Sequence, residues 1–200
     1  MTKPLNSQGE LPPSQHQTLS VFDHHYLDFD GLPYVHNTRQ RIRALAPMTH
    51  LPYRFDTGAV HVEMEAGGEA GPLYVVREGI HAVDIKLTEP LRPGDETELE
   101  YSTLFDYSEA PSPLFRRVIG SRIMEKLDIH VVFDGRQLPT GVWQSEWDDY
   151  APDSPITQEA PAHLTPFEAG DPGDMEEVYL SQENVSNRVI GFRWEWLGQA

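Results

Sequence analysis

Apolar and polar residues alternate along short stretches of this chain, with the two-residue period of a β-strand. Between residues 59 and 65, Val60, Val62 and Met64 alternate with one histidine and two glutamates. Successive side chains of a strand point to opposite faces, so this pattern predicts a strand with one buried and one solvated side. Residues 96–107 repeat the alternation and predict a second strand of the same kind.

Further strand-like segments follow at short intervals, separated by turns rich in glycine and proline. The predicted strands cover residues 22–30, 34–45, 59–65, 73–77, 80–88, 96–107, 127–134, 138–147, 178–181 and 188–196. Three consecutive pairs are predicted to be hairpins, with turns at 31–33, at 135–136 and at 184–187. Residues 116–125 fit either a helix or a strand, and the pattern leaves that choice open.

Many short strands with frequent turn signals are typical of all-β domains. We therefore predict an antiparallel β-sandwich, immunoglobulin-like or related, of about nine or ten strands with at most one short helix. Residues 1–18 are polar, contain three prolines and lack apolar periodicity, which predicts a disordered tail. Residues 19–200 are then expected to form a single domain.

The charge of the chain limits its partners. Fifteen basic residues stand against 32 acidic ones, which gives a net charge of −17. Such a chain repels phosphate backbones, so no direct binding of nucleic acid is expected. The first residues lack the apolar run of a signal peptide, and no stretch reaches the length of a membrane span. We expect a cytoplasmic protein without membrane contact.

No common catalytic or cofactor motif is present. The chain contains no cysteine, which excludes disulfides, thiolate chemistry and cysteine-based zinc sites. Gly-x-Ser-x-Gly and phosphate-loop patterns are absent as well. Nine histidines include no His-x-His pair, and the nearest pattern, His61-Val-Glu63, is typical of a solvated strand face. We expect no catalytic residue, metal site or cofactor, and a non-enzymatic role is favoured over an enzymatic one.

All four tryptophans lie in the last 58 residues. Their even spacing predicts that Trp143 and Trp147 share one strand face and that Trp194 and Trp196 share another. The rings can either form a hydrophobic core or present an aromatic face to a ligand. The acids between them, such as Glu195, point to the opposite side, and this alternation favours the core.

An acidic, proline-rich segment lies between the two tryptophan clusters. The 51 residues between Arg136 and Arg188 include no lysine or arginine. Residues 150–174 are predicted to be a long exposed loop, which is uncommon in a compact domain unless it is functional or mobile. The candidate recognition residues in and beside this loop are Asp148, Asp149, Tyr150, Asp153, Asp171, Asp174, Glu176 and Glu177.

Several short strings in the C-terminal half resemble an uncharacterised β-sandwich domain of actinobacterial proteins, sometimes found after helix-turn-helix modules. The similarity covers about residues 80–197 and is carried by Glu89-Pro-Leu-Arg-Pro-Gly94, Glu98–Tyr101, Arg116-Arg117, Trp143, Trp147-Asp148-Asp149 and Gly191-Phe-Arg-Trp-Glu-Trp196. The resemblance implies a β-sandwich with a role in regulation or assembly. Nothing before residue 80 resembles a DNA-binding helix pair, so any DNA-related role would run through a partner.

Two functions are consistent with these observations. The first is a non-enzymatic cytoplasmic interaction or assembly module that binds a protein partner or a second copy of itself. The second is a β-sandwich that binds a carbohydrate or small ligand, or a hydrolase built on one, using the tryptophans and nearby carboxylates. An acidic loop favours a basic partner and accelerates association at low salt.

Overall fold

The computed structural model of the chain describes residues 14–55, 58–77, 80–107, 110–151, 153–167 and 175–197. Within these ranges the chain forms strands and no helix, which confirms the all-β prediction. The strands are β1 (His16–Leu27), β2 (Pro33–Ala44), β3 (Met48–Phe55), β4 (Ala59–Ala66), β5 (Gly68–Ala70), β6 (Tyr74–Arg77), β7 (Ile80–Leu91), β8 (Glu96–Phe105), β9 (Leu114–Ile119), β10 (Met124–Asp134), β11 (Gly141–Trp147), β12 (Ile156–Ala162), β13 (Thr165–Pro166), β14 (Met175–Val185) and β15 (Arg188–Glu195). The part of the chain described here contains no helix able to cross a membrane.

The strands form three sheets. Seven strands build the large sheet, in the order β13-β14-β10-β1-β2-β8-β4. The C-terminal sheet has the order β12-β11-β15-β9, and the N-terminal sheet has the order β3-β7-β5, with β6 also pairing with β7. Neighbours are antiparallel, except that β1 and β10 run parallel in the middle of the large sheet.

Both smaller sheets cover one face of the large sheet, which we call its inner face. The β1–β2 register pairs Val21 with Gln40, so Val21 and Ile42 point to the same side. Val21 belongs to a core shared with the C-terminal sheet, whereas Ile42 belongs to a second core shared with the N-terminal sheet. Two cores therefore lie side by side on the inner face, and the opposite side is the outer face.

The first predicted hairpin is confirmed. β1 and β2 are antiparallel neighbours, and Gly31 in their turn has a φ of 74°, where a side chain is disfavoured. The Asp28 carboxylate accepts the backbone N–H groups of Asp30 and Leu32, each at 2.9 Å, and so stabilises the turn. The strand predicted over 59–65 is also present, as β4.

The other two predicted hairpins are wrong. β10 pairs with β1 and β14, whereas β11 pairs with β12 and β15 in a different sheet. The chain does turn at 135–136, but both edges of β10 are already occupied, so the next strand must join another sheet. For the same reason β14 and β15, which flank the predicted turn at 184–187, do not pair with each other.

The long loop predicted over 150–174 is wrong for most of its described residues. Residues 156–162 form β12 at the edge of the C-terminal sheet, and 165–166 form β13 at the edge of the large sheet. Nearly all side chains of β12 are exposed, so the strand lacks an apolar alternation that sequence could reveal. Pro161 is tolerated there because an edge strand leaves one row of N–H groups unpaired.

Three remaining expectations concern the ends of elements. Residues 168–174 of the predicted loop and 1–13 of the predicted tail lie outside the described residues, while 16–18 belong to β1. The segment 116–125, left open between helix and strand, contains the end of β9 and the start of β10. The described residues form fifteen strands rather than nine or ten, because many strands are short edge pieces.

Candidate functional site

The four tryptophans do not share a common face. The β11–β15 register pairs Val142 with Trp194, and both side chains lie in the core against the large sheet. Trp143 therefore points to the other side of the C-terminal sheet, away from that core. Trp194 is 1% exposed and Trp196 is 9% exposed, and both rings pack nearly perpendicular to the Phe133 ring.

Arginine side chains cover the two outward tryptophans. The Arg193 guanidinium lies 4.3 Å from the centroid of the Trp143 ring, and Arg116 lies 5.6 Å from that of Trp147. Trp147 is buried, so only Trp143 among the four is more than marginally exposed. Arg193 also forms an ion pair with Glu159 of β12 at 3.0 Å, which attaches the edge strand to the sheet. Trp143 and Trp147, with the arginines stacked on them, therefore stabilise the side of the C-terminal sheet that faces away from the core.

The candidate recognition residues fall into two separate groups. Asp148, Asp149 and Asp153 are exposed in the turn before β12, beside the half-buried Tyr150. Arg116 stacks on the Tyr150 ring at 4.8 Å and donates a hydrogen bond to the Ala151 carbonyl at 3.0 Å, so this turn is held in place.

The second group lies in a different sheet. Glu176 and Glu177 belong to β14 and are half-buried. Asp171 and Asp174 lie outside the described residues. The structure therefore does not bring the predicted acidic residues together in one place.

A different cluster stands on the outer face of the large sheet, and we call it the outer aromatic surface. It consists of Phe22, His24 and Tyr26 on β1, His130 on β10 and Tyr179 on β14. The His24 ring lies 4.8 Å from that of Phe22 and 4.3 Å from that of His130. His130 in turn lies 4.5 Å from Tyr179, so the rings form a continuous row across three neighbouring strands.

Polar groups surround this row. His130 Nδ1 lies 2.5 Å from a Glu177 carboxylate oxygen, and the Tyr179 hydroxyl donates to Asp128 at 2.9 Å. The Arg39 guanidinium lies 5.3 Å from the centre of the Phe22 ring. Apolar rings with a rim of hydrogen-bonding and charged groups are the usual composition of a protein interface.

His24, at the centre of the surface, is uncharged at neutral pH. Burial among the rings, with a further contribution from the neighbouring His130, lowers the pKa of His24 to about 4. Phe167 covers part of the same region, 6.0 Å from both His24 and Tyr26 between ring centroids. Val132, which points to this outer side from β10, is completely buried. The outer face thus carries its own small apolar cluster.

None of the residues of the outer aromatic surface is among the site residues predicted from the sequence. The alternation of Phe22, His24 and Tyr26 was a visible signal, because three ring-bearing side chains at even spacing must share a strand face. His130 and Tyr179 are 49 residues apart and meet through strand pairing, so spacing alone could not place them together. Among the described residues, no group of three or more histidine and acidic side chains is placed to hold a metal ion.

A buried polar network occupies the inner face between the large sheet and the C-terminal sheet. The Asp23 carboxylate lies 3.0 Å from His36 Nε2, accepts a hydrogen bond from the Thr38 hydroxyl at 2.9 Å and lies 3.3 Å from an Arg117 nitrogen. Asp23 and Thr38 come from the large sheet, whereas Arg117 comes from β9 of the C-terminal sheet. This network therefore attaches one sheet to the other.

The electrostatics of this network favour a charged Asp23. Burial alone would raise the pKa of its carboxyl, but Arg117, His36 and Thr38 outweigh burial and lower it to about 2. His25, next to the network, packs against the Phe115 ring at 4.7 Å, and burial lowers its pKa to about 3. Asp23, His36 and Thr38 are buried and bound to one another, which is the arrangement of a structural element, whereas neither ring nitrogen of His25 has a hydrogen-bond partner among the described residues.

Comparison with known proteins shows the fold alone. No protein-family model matches the chain, and no curated protein matches it. A putative protease from Parabacteroides distasonis is similar in structure, with a TM-score of 0.52 and 9% identity over 89% of this chain and 40% of that chain. An M1 zinc metallopeptidase from Deinococcus radiodurans has a TM-score of 0.48 and 10% identity over 92% of this chain and 44% of that one. The chain spans less than half the length of either protein.

Proposed function

We propose that this chain is a non-enzymatic interaction module that binds a protein partner through the outer aromatic surface. The observation that carries the proposal is the continuous row of rings formed by Phe22, His24, His130 and Tyr179. The outer face of a sheet that has its core on the other side normally carries polar side chains. A contiguous apolar patch in that place is typical of a binding surface.

The exposure of the rings supports this role. Tyr179 is 50% exposed and Tyr34 is 43% exposed, and Tyr34 extends the row through its contact with Tyr26 at 6.2 Å. Tyrosine, phenylalanine and arginine are the side chains that interfaces favour. A half-exposed tyrosine with a rigid ring and a hydrogen-bonded hydroxyl offers apolar contact area at a low cost in conformational entropy.

The charge of the chain suggests the chemistry of the partner. With 32 acidic and 15 basic residues, the protein attracts a basic surface over long range. Such attraction raises the association rate at low salt more than it raises the final affinity. We therefore expect a basic protein partner whose association slows as salt is added.

The comparisons are compatible with a module that works beside other domains. In the protein from Parabacteroides distasonis, the part that this chain matches makes up 40% of a longer chain. The regulatory or assembly role implied by the resemblance of residues 80–197 to an actinobacterial domain is of the same kind. The carbohydrate-binding alternative draws no particular support from the tryptophans, because Trp143 is already stacked on Arg193.

The experiment compares the partner recovered by affinity capture with wild-type protein and with two matched variants. Tyr179→Ala removes a ring of the outer aromatic surface, whereas Phe29→Ala removes a ring of similar exposure, 49%, outside it. With the partner purified, Tyr179→Ala is expected to weaken binding by about 2 kcal/mol, the size of an interface hot spot. Phe29→Ala should bind as wild type does. A partner held equally by all three proteins would contradict the proposal.

A further inference from the structure

A cleft of about 340 Å³ opens where the start of β1 passes the connection between β9 and β10. It shares no residue with the outer aromatic surface. Eleven of the described residues line it, among them His16, Arg117 and Arg122 and the hydroxyl-bearing Ser14, Thr18 and Ser121. The volume is within the usual range for sites that bind small molecules, about 300–1,000 Å³.

The charge of the cleft is opposite to that of the chain. None of the eleven lining residues is acidic, while His16, Arg117 and Arg122 are basic or ionisable to a cation. The chain as a whole has 32 acidic and 15 basic residues, so a lining of this composition stands out from its surroundings. Three hydroxyl groups, on Ser14, Thr18 and Ser121, complete a lining rich in hydrogen-bond donors.

The positive charges of the cleft are incompletely compensated. Arg122 forms no ion pair with any residue in the described ranges, and Arg117 shares one carboxylate, that of Asp23 at 3.3 Å. Burial, followed by repulsion from Arg122 and from the nearby Arg54, lowers the pKa of His16 to about 4. Arg122 therefore carries a positive charge without a carboxylate partner among the described residues, and a bound anion would be attracted to it.

We propose that this cleft binds a small multivalent oxyanion, either a phosphate ester or a polycarboxylate, with Arg122 and Arg117 as the principal contacts. The planar guanidinium group pairs with two oxygens of either anion at once. Arg117 is held by Asp23 from the inner side, so its position is set before the ligand arrives. Arg122 is exposed and can close on the ligand from the solvent side.

The test is calorimetric titration of the full chain with sodium pyrophosphate and, separately, with sodium citrate, at constant ionic strength. Arg122→Gln is expected to weaken binding about ten-fold or more, because a hydrogen bond to a charged group is lost. Arg92→Gln is the control, because Arg92 is exposed in a turn, does not line the cleft, and its substitution changes the net charge equally. Neither arginine is buried, so both variants are expected to fold.

Nuclear magnetic resonance supplies a second reading of the same titration. The ring signals of His16 should shift on binding, while those of the exposed His50 should not. Saturable binding of both anions supports an oxyanion site, and binding of pyrophosphate alone supports the phosphate class. The proposal is overturned if neither anion saturates at millimolar concentration, or if Arg92→Gln weakens binding as much as Arg122→Gln does.

Discussion

His24 and His25 are neighbours in the chain, yet they lie on opposite faces of the large sheet. His25 points inward and is 5% exposed, packed between Phe115 and His36. His24 points outward among the rings of the outer aromatic surface. Burial lowers the pKa of both, to about 3 for His25 and about 4 for His24. Histidine therefore packs between two sheets on the inner face and forms part of the outer aromatic surface on the other face.

The difference lies in the partners that each side provides. On the inner face Asp23 is fully buried and bound to His36, Thr38 and Arg117. Rings on the outer face keep edges that are open to solvent, as the half-exposed Tyr179 does. Changes on the inner face should therefore alter stability, whereas changes on the outer face should alter binding.

The largest expected effect comes from a matched pair of tryptophans. Trp194→Ala empties a fully buried site in the core shared with the C-terminal sheet and should lower the free energy of unfolding by about 3–5 kcal/mol. Trp143→Ala, on the other side of the same sheet, removes the stacking with Arg193 and should cost about 1 kcal/mol. Urea denaturation measures both values. Equal losses would show that the two sides of the C-terminal sheet do not differ as described.

The second effect concerns two aspartates of the large sheet. Asp23→Asn removes the charge that Arg117 and His36 face, and it should cost about 3 kcal/mol because a buried ion pair loses one partner. Asp128→Asn, beside the outer rings, should cost less than about 1 kcal/mol, since asparagine still accepts the Tyr179 hydroxyl. The urea denaturation midpoints of the two variants measure the two losses of stability. A larger loss for Asp128→Asn than for Asp23→Asn would contradict the prediction.

The third effect is a dependence of stability on pH. In the unfolded chain each histidine binds a proton near pH 6.5, whereas the folded pKa values are about 3 for His25 and about 4 for His24. The unfolded state thus binds more protons in this window, and stability should fall as pH drops from about 6.5 towards 4. Asp23 has a lowered pKa of about 2, so its stabilisation is lost only below about pH 3.8.

Urea denaturation at pH 7 and at pH 4.5 measures the histidine contribution separately from that of Asp23. His24→Gln should reduce the change in the free energy of unfolding between pH 7 and pH 4.5, because it removes one histidine whose pKa is lowered in the folded protein. His50→Gln, at an exposed position, is the matched control and should leave that change in the free energy of unfolding as it is in the wild type. A wild-type stability that is flat between pH 7 and pH 4.5 would contradict the assignment.

The smallest effect is that of Tyr179→Ala on stability. The side chain is half-exposed, so its removal should change the free energy of unfolding by less than about 1 kcal/mol. The same variant is expected to weaken partner binding about thirty-fold, which corresponds to the hot-spot energy of about 2 kcal/mol. A large loss of stability would place Tyr179 with the inner residues instead.

Local features of the fold could be predicted from the sequence. The β1–β2 hairpin depends on Gly31 and the Asp28 turn, and β4 depends on a plain two-residue period, so both are encoded within a few residues. The partner of β10 could not be predicted in this way. It pairs with β1, about a hundred residues earlier, and no local pattern specifies a distant parallel neighbour.

The sites were harder to predict than the strands, for the same reason. The outer aromatic surface joins His24 to His130 and Tyr179 through pairings across β1, β10 and β14. The basic cleft joins His16 to Arg122 across more than a hundred residues. His16 also lay in the segment predicted to be a disordered tail. Residue types were visible in the sequence, but their distances depend on topology.

The parallel pairing of β1 with β10 bears on the order of events as the chain is synthesised. Every buried residue of the second core lies between Ile42 and Tyr101. The N-terminal half of the protein can therefore pack once about the first hundred residues of the chain have been synthesised. β1 can then pair with β2, but its other edge must wait for β10. Closing so long a loop carries an entropic cost that is recovered only when the core shared with the C-terminal sheet forms. Folding should therefore proceed from the N-terminal half to the C-terminal half, with the open edge of β1 as the template for the later step.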